Sequence, residues 1–364
     1  MKKAHKRNLP GGMRRSARVF LRRANAGKTA RLRKFLRLYQ NIVNYFIVRF
    51  WSLKEFKRAL ADQDATSKAI RRFGITARLA QCAAKQAKEI VCGQQERWGS
   101  GARIPRLKSL VANLDGRFVT ISPFDGHFDF ALVFGSGVPG MVVPLGRTKP
   151  CLKFEAAGWM LAAGIRLGEK DGKVFVDLVY EKTKPVAQPE GKVLALDTGL
   201  NRLFTGSDGQ EVGNDFKETV KRAGKRRKTW HDHIDTEIDR NIKKIDLGGV
   251  SVVVLENLKN VKHGKRGKFS RRSNRLLSFW HYAKARRRLE CRCEELGIRV
   301  AFKDPAYTSQ RCHACGNIDG KSRRGTKFKC VRCGMECDAD YNGSKNLEFL
   351  WLAGAYSLRS LKSA

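Results

Sequence analysis

The chain has 364 residues, of which 42% are hydrophobic, so cores of domain size can form and a wholly disordered chain is excluded. Lys and Arg number 74 against 34 Asp and Glu, a formal net charge of +40. So large an excess repels itself unless a polyanion neutralises it, which points to nucleic acid. A ribosome-associated or otherwise non-specific basic protein is the plainer reading of the same composition.

The N-terminus, MKKAHKRNLPGGMRRSAR, is basic and has no apolar stretch behind it, which argues against a secretory signal and leaves a nucleic-acid-binding arm or disorder. No apolar run approaches the roughly 18–20 residues that a membrane helix needs. A short strand is expected around residues 17–21. A helix follows, with Leu32, Phe35, Leu36, Tyr39, Ile42, Val43, Phe46 and Ile47 in the rhythm of a buried face and Arg31, Arg33, Lys34 and Arg37 opposite. A second helix is expected over 76–95, with Thr76 as its N-cap and Leu79, Ala83, Ala87, Ile90 and Val91 on one side. Between 101 and 183, β-rich runs at 118–121, 128–133, 141–143, 165–167 and 174–180 alternate with Gly, Pro and Asp, as in an antiparallel sheet or small barrel. PVAQPEG, at 185–191, reads as a linker.

The apolar strand VLALD then ends in Asp197. A hairpin over 201–214 turns at Asp208-Gly209, and a helical stretch over 216–246 opens with Lys217, Lys221, Arg222, Lys225, Arg226, Arg227 and Lys228. A second apolar strand, SVVVLE, ends in Glu256. A basic loop at 261–273, a helix at 274–296, a strand at 298–302, a cysteine cluster and a short helix from 342 to about 352 complete the pass, without internal repeats.

Ten cysteines without a signal peptide indicate a reducing compartment, where clustered thiols serve as metal ligands rather than disulfides. Cys312-x-x-Cys315 and Cys330-x-x-Cys333, with 14 residues between them, supply the four thiolates that a tetrahedral Zn²⁺ takes. Gly316 and Gly334 follow each pair where the turn must be tight. With four ligands such a zinc is structural, and Cys337 is a bystander. Arg323, Arg324, Lys327, Lys329 and Arg332 make the module basic.

Three carboxylates stand out: Asp197 and Glu256 at strand ends, and Asp340 in CDADYNGSKNL. A carboxylate beside an apolar core is costly unless a cation meets it. Two Mg²⁺ ions favour such oxygen-only ligands and could activate water on a phosphodiester. Taken singly, each acid reads equally as a turn residue or helix cap; Asp338 rivals Asp340 and reads as an N-cap.

LALDTGLNRLFTGSDG, VVVLENLKN, PAYTSQRCHACG, FKCVRCG and DADYNGSKNL, in this order and spacing, resemble the TnpB family of transposon-encoded proteins, relatives of the type V CRISPR effectors. The resemblance is strong from about 190 to 350 and weaker over 17–183. It implies an α+β multidomain protein: a helical bundle and small β-barrel in an N-terminal lobe, then an RNase H-like (RuvC) α/β nuclease domain with an inserted zinc ribbon. The expected boundaries are 1–22 and 101–185 for the barrel, 23–100 for the helical domain inserted in it, 190–307 and 338–355 for the nuclease domain, 308–337 for the ribbon and 356–364 for a tail. Asp197, Glu256 and Asp340 fall at the family's catalytic positions, Asp340 rather than Asp338 because Asn342 completes its D-x-N context.

The resemblance further implies a guide RNA, a target DNA next to a short flanking motif, and DNA cleavage with sequence read by base pairing. Asp197 and Asp340 would hold two Mg²⁺ and Glu256 would complete the site. A monomer in the cytoplasm of a prokaryote, nucleoid-associated when bound to DNA, is expected. Three alternatives stay open: a guided repressor that no longer cuts, a strand-joining recombinase or transposase, and a compact CRISPR-associated effector, against which chain length weighs.

Overall fold

The protein is described here from a computed structural model covering residues 12–52, 63–98, 101, 103–123, 129–135, 140–223, 230–258 and 282–359. The N-terminal arm, the basic run at 225–228, the loop at 261–273 and the start of the helix expected from 274 lie outside the described residues. The chain divides into two compact units, Met1–Thr183 and Lys184–Ala364, so the break falls at the edge of the expected linker.

In the first unit the strand expected at 17–21 is β1 (Met13–Phe20), which starts earlier than the sequence indicated. Helix α1 (Ala26–Trp51) is capped by the Asn25 side chain on the Lys28 amide (2.8 Å), and all eight residues of its expected apolar stripe are buried. Helix α2 (Gln63–Phe73) was not expected; α3 (Ala77–Trp98) was, and its Thr76 hydroxyl accepts from the Leu79 amide at 3.3 Å. Strands β2 (Val111–Leu114), β3 (Val119–Pro123), β4 (Phe130–Phe134), β5 (Met141–Leu145), β6 (Met160–Lys170) and β7 (Lys173–Lys182) follow, with a short helix α4 (Lys149–Ala156) before β6.

These strands form two antiparallel sheets, ordered β1-β7-β6-β2 and β3-β4-β5. β1 reaches β7 across the helices: Arg18 faces Asp177 in register and grips it with two hydrogen bonds (2.7 and 2.9 Å). The buried Gln86 of α3 likewise bonds both the Val111 carbonyl and the Asn113 amide, tying helix to sheet edge.

The second unit is built on a five-stranded sheet ordered β10-β9-β8-β11-β12. Its strands are β8 (Lys192–Asp197), β9 (Phe204–Gly206), β10 (Glu211–Val212), β11 (Val250–Glu256) and β12 (Arg299–Lys303). β8, β11 and β12 run parallel, and β9 and β10 form the expected hairpin, with Gly209 at φ 92° in its turn. Every residue of β11 is buried, as in a central parallel strand covered on both faces.

One face packs on α5 (Phe216–Ala223), α6 (Trp230–Lys244) and α7 (Tyr282–Leu296), around Phe216, Ile234, Ile238 and Leu289. Of the helix expected over 216–246, α5 and α6 cover 216–223 and 230–244, and residues 224–229 lie outside the described residues. The other face carries α8 (Ala339–Leu352), whose Leu347 lies on Ala195, Val252 and Val254. α8 starts three residues before the expected 342, because Asp338 caps it. Between β12 and α8 the chain forms a small ribbon of β13 (Arg323–Arg324), β14 (Lys327–Lys329) and β15 (Glu336–Asp338). The segment after 356, expected as a tail, packs in part: Leu358 is buried. Among the described residues no helix is long and apolar enough to cross a membrane.

Candidate active site

In parallel α/β sheets ligands meet the protein beyond the carboxyl ends of the strands, where loops diverge and side chains have room. Asp197 and Glu256 are the last residues of β8 and β11, neighbours in the sheet with parallel register. Asp340 reaches the same end from the first turn of α8, which packs against β8 and β11. Two close approaches fix the convergence. Asp197 Oδ2 lies 3.0 Å from where a β-carbon at Gly343 would stand, and Asp340 Oδ2 lies 3.5 Å from the equivalent point at Gly199.

The electrostatics agree with that placement. Burial pushes the Asp197 carboxyl well above the usual carboxylate range, the Glu256 and Asp340 charges push it further, and Arg323 pulls it partly back. Arg323, from β13 of the ribbon, donates to Asp340 Oδ1 at 3.0 Å. Glu256 is buried and accepts from the Thr308 hydroxyl at 3.2 Å.

Asp338 has the role of a cap. Its Oδ1 accepts from the Asp340 and Tyr341 amides, and its Oδ2 from Arg202 at 2.8 Å. Partial burial works to raise its carboxyl, but the Arg202 guanidinium and the two amides outweigh it and hold the group below its ordinary value. Three acids offset by Arg323 are a set of hard oxygens with charge to spare, which fits Mg²⁺. The oxygens of the three acids do not all lie within 4.8 Å of one another; among the described residues only four thiols come that close.

Those thiols are Cys312, Cys315, Cys330 and Cys333, whose sulfurs all lie within 4.8 Å of one another, Cys312 and Cys333 at 3.7 Å and Cys315 and Cys330 at 3.6 Å. Sulfurs on one tetrahedral Zn²⁺ with ~2.3 Å bonds would stand about 3.8 Å apart. Each knuckle closes alike: the amides of Gly316 and Gly334 return to the carbonyls of Cys312 and Cys330 (2.9 and 3.0 Å), at φ 76° and 74°. The Cys333 amide points at Cys330 Sγ and holds that thiol below its ordinary value, while the Cys312 and Cys333 thiols beside it stand above theirs. Cys337 stands outside the cluster.

Sequence reasoning missed Thr308 and Arg323 as partners of the acids and Asn346 altogether, and named Asn342 only as part of the D-x-N context, without its contacts. Asn342 accepts from the His313 amide (3.0 Å) and donates to the Arg311 carbonyl (2.8 Å), so it holds the first knuckle. The motif PAYTSQRCHACG carried Thr308 in view, but nothing in its spacing says which acid the hydroxyl meets.

The fold and site of the second unit therefore define an α/β domain with an acidic centre at the carboxyl edge of its parallel strands and, inserted beside it, a ribbon whose four thiols could hold a metal ion. The sequence profile of the Cas12f1-like TNB domain matches residues 282–347, which span α7, β12, the ribbon and the first part of α8. Over 75 residues, a fifth of this chain (20%), the sequence is 47% identical to a CRISPR-associated endodeoxyribonuclease Cas12f1 of Sulfoacidibacillus thermotolerans. Over 125 residues, 32% of this chain, it is 35% identical to a TnpB-like protein of Aquifex aeolicus.

These matches span 18% and 39% of the two relatives' own lengths. In fold, the chain resembles Cas12f1 as solved by cryo-EM in a complex with sgRNA and target DNA. The TM-score is 0.60 at 15% identity, over 89% of this chain and 83% of that one. The chain is thus similar to TnpB-like and Cas12f1 proteins over part of its length, in keeping with the resemblance read from its motifs.

Proposed function

We propose that the chain is an RNA-guided DNA endonuclease of the transposon-encoded TnpB kind, hydrolysing target DNA at Asp197, Glu256 and Asp340. The observation that carries this reading is the convergence of the three acids at one edge of a parallel sheet, strongly enough to raise Asp197. The sheet, with its antiparallel hairpin, two parallel crossovers and helices on both faces, supports an RNase H-like (RuvC) domain from 190–307 and 338–355. The ribbon at 308–337 would hold structural Zn²⁺ through its four thiols. In the first unit, the two sheets support the barrel-like domain of 1–22 and 101–185, with the helices of 23–100 inserted in it.

Asp197, Glu256 and Asp340 would hold Mg²⁺, two ions in the preferred reading, which supplies charge stabilisation and a water nucleophile at neutral pH. The chain's own residues do the rest. β8 and β11 fix two carboxylates on rigid neighbouring backbones, Asp338 anchors the start of α8, and Arg323 orients Asp340. The guide RNA and target DNA would lie on basic surfaces, with sequence read by base pairing and the protein gripping the backbone. That Cas12f1 was solved with sgRNA and target DNA supports this partner set.

The test is Asp197→Ala in purified protein with its co-purifying RNA. Cleavage of a matched duplex should vanish while binding persists; undiminished cutting removes the assignment. The 47% identity to a Cas12f1 favours a second reading, a compact CRISPR-associated effector. Sequencing the co-purifying RNA separates the two: a transcript of the element's own end supports the first, a repeat-derived guide the second.

A further inference from the structure

We propose that Thr308, Asn342 and Asn346 are positioning residues that lock the cysteine ribbon to the acidic site, so that metal in the ribbon sets how tightly the acids hold divalent cations. The inference rests on the reading of the three acids as the catalytic centre and adds a coupling between the two metal sites.

The segment from 308 to 313 joins both. At one end the Thr308 hydroxyl shares its proton between the Pro305 carbonyl (2.9 Å) and Glu256 Oε1 (3.2 Å). At the other, Cys312 is a thiol of the ribbon. Helix α8 grips this segment along its length. The Asn346 amide donates to the carbonyls of Thr308 (2.9 Å) and Arg311 (2.7 Å), and Asn342 bonds the Arg311 carbonyl and the His313 amide. The Arg311 guanidinium turns back onto Asn346 Oδ1 at 2.8 Å and lies against Gly316 of the first knuckle. Both asparagines are fully buried, on the same helix that presents Asp340.

The chemistry of these contacts decides what they do. An apolar seam would bury surface equally well but could slide. Buried amides with their hydrogen bonds made specify one register, and a shift would leave them unpaired in a medium of low dielectric. The turn that presents Thr308 places Tyr307 at φ 65°, a backbone conformation disfavoured for an aromatic side chain, with the Gln310 and Arg311 amides both closing on its carbonyl at 2.9 Å. From the far side of the ribbon, Arg323 bonds Asp340. Glu256 and Asp340 are thus each held by a group whose place depends on the folded ribbon. Thiolate ligation of a metal holds such a ribbon in shape, so ribbon occupancy and acid placement are linked.

The experiment uses the full chain with its co-purifying RNA, as parent, Thr308→Val, Thr308→Ser, Asn346→Ala and Asp197→Ala. Three quantities are read: bound zinc, Mn²⁺ affinity by calorimetry, and the Mg²⁺ concentration for half-maximal cleavage. Thr308→Val keeps the volume and loses the hydroxyl. It should weaken Mn²⁺ binding about tenfold, as loss of an outer hydrogen-bond partner does at metal sites. Mg²⁺ demand should rise more than the maximal rate falls, with zinc content unchanged.

Thr308→Ser should restore both quantities. Asn346→Ala should weaken zinc retention and Mn²⁺ binding together, and stripping zinc from the parent should weaken Mn²⁺ binding as well. Parental Mn²⁺ affinity in Thr308→Val, or in the zinc-stripped parent, overturns the coupling. If Asn346→Ala fails to fold, the Thr308 pair decides. If Asp197→Ala still cuts, the catalytic reading itself is at fault; if it is inert while Thr308→Val binds Mn²⁺ as the parent does, only the coupling fails.

Discussion

At the scale of single residues, Asp197 carries the charge conflict of the site. Its native carboxyl titrates above the ordinary range, so the folded protein keeps that proton at pH values where the unfolded chain has lost it. Stability from this group is therefore present at acid pH and is lost as pH rises through the native value. Asp197→Asn should give the metal-free protein a higher melting temperature than the parent at neutral pH. The gap should close below the unfolded Asp value of about 3.9. Calorimetric scans across pH check this, and a gap independent of pH contradicts it. The acids and thiols were legible in the sequence because an apolar run ending in a carboxylate, or a Cys-x-x-Cys pair, is a local signal. Arg323 and Thr308 were not, because their pairing with Asp340 and Glu256 is made by tertiary packing across the ribbon.

At the scale of elements, the long amphipathic helices and central strands were read correctly, since burial of one face enforces the period. Helix α2, strand β2 and helix α4 were missed; each is short, and propensity alone is a weak guide over so few residues. The start of α8 depends on Asp338, which reads as an N-cap from its residue type alone, while the apolar rhythm placed the helix start later, at 342. That helix both seals one face of the sheet and carries Asp340. Leu347, fully buried on Ala195, Val252 and Val254, is its apolar anchor. Leu347→Ala should cost about 2–5 kcal/mol of stability. It should also lower cleavage at temperatures where the protein is still folded, because Asp340 loses its platform. Denaturant melts paired with cleavage rates test this; a destabilised variant with parental cleavage would show that α8 holds its place without that contact.

At the scale of the whole molecule, the proposed nucleic-acid partner and the net charge of +40 together predict that binding energy comes largely from phosphates. A protein contacting 6–10 phosphates loses about 10³–10⁵ in affinity between 50 and 200 mM salt. Filter binding of the RNA-bound protein to matched DNA across that range should show a slope of this order, whereas a nearly flat dependence would place recognition elsewhere. The two-unit division was legible only as a Pro- and Gly-containing stretch near 185–191, since separate cores leave no local signature beyond the linker between them.

Asp197 and Glu256 belong to neighbouring strands, but Arg323 comes from the ribbon and Asp340 joins them only after the chain has passed through it. During biosynthesis the acidic centre is thus among the last parts of this unit to be assembled. A nascent chain halted before residue 338 would carry two carboxylates and no third, and should leave DNA intact however well its earlier strands have folded.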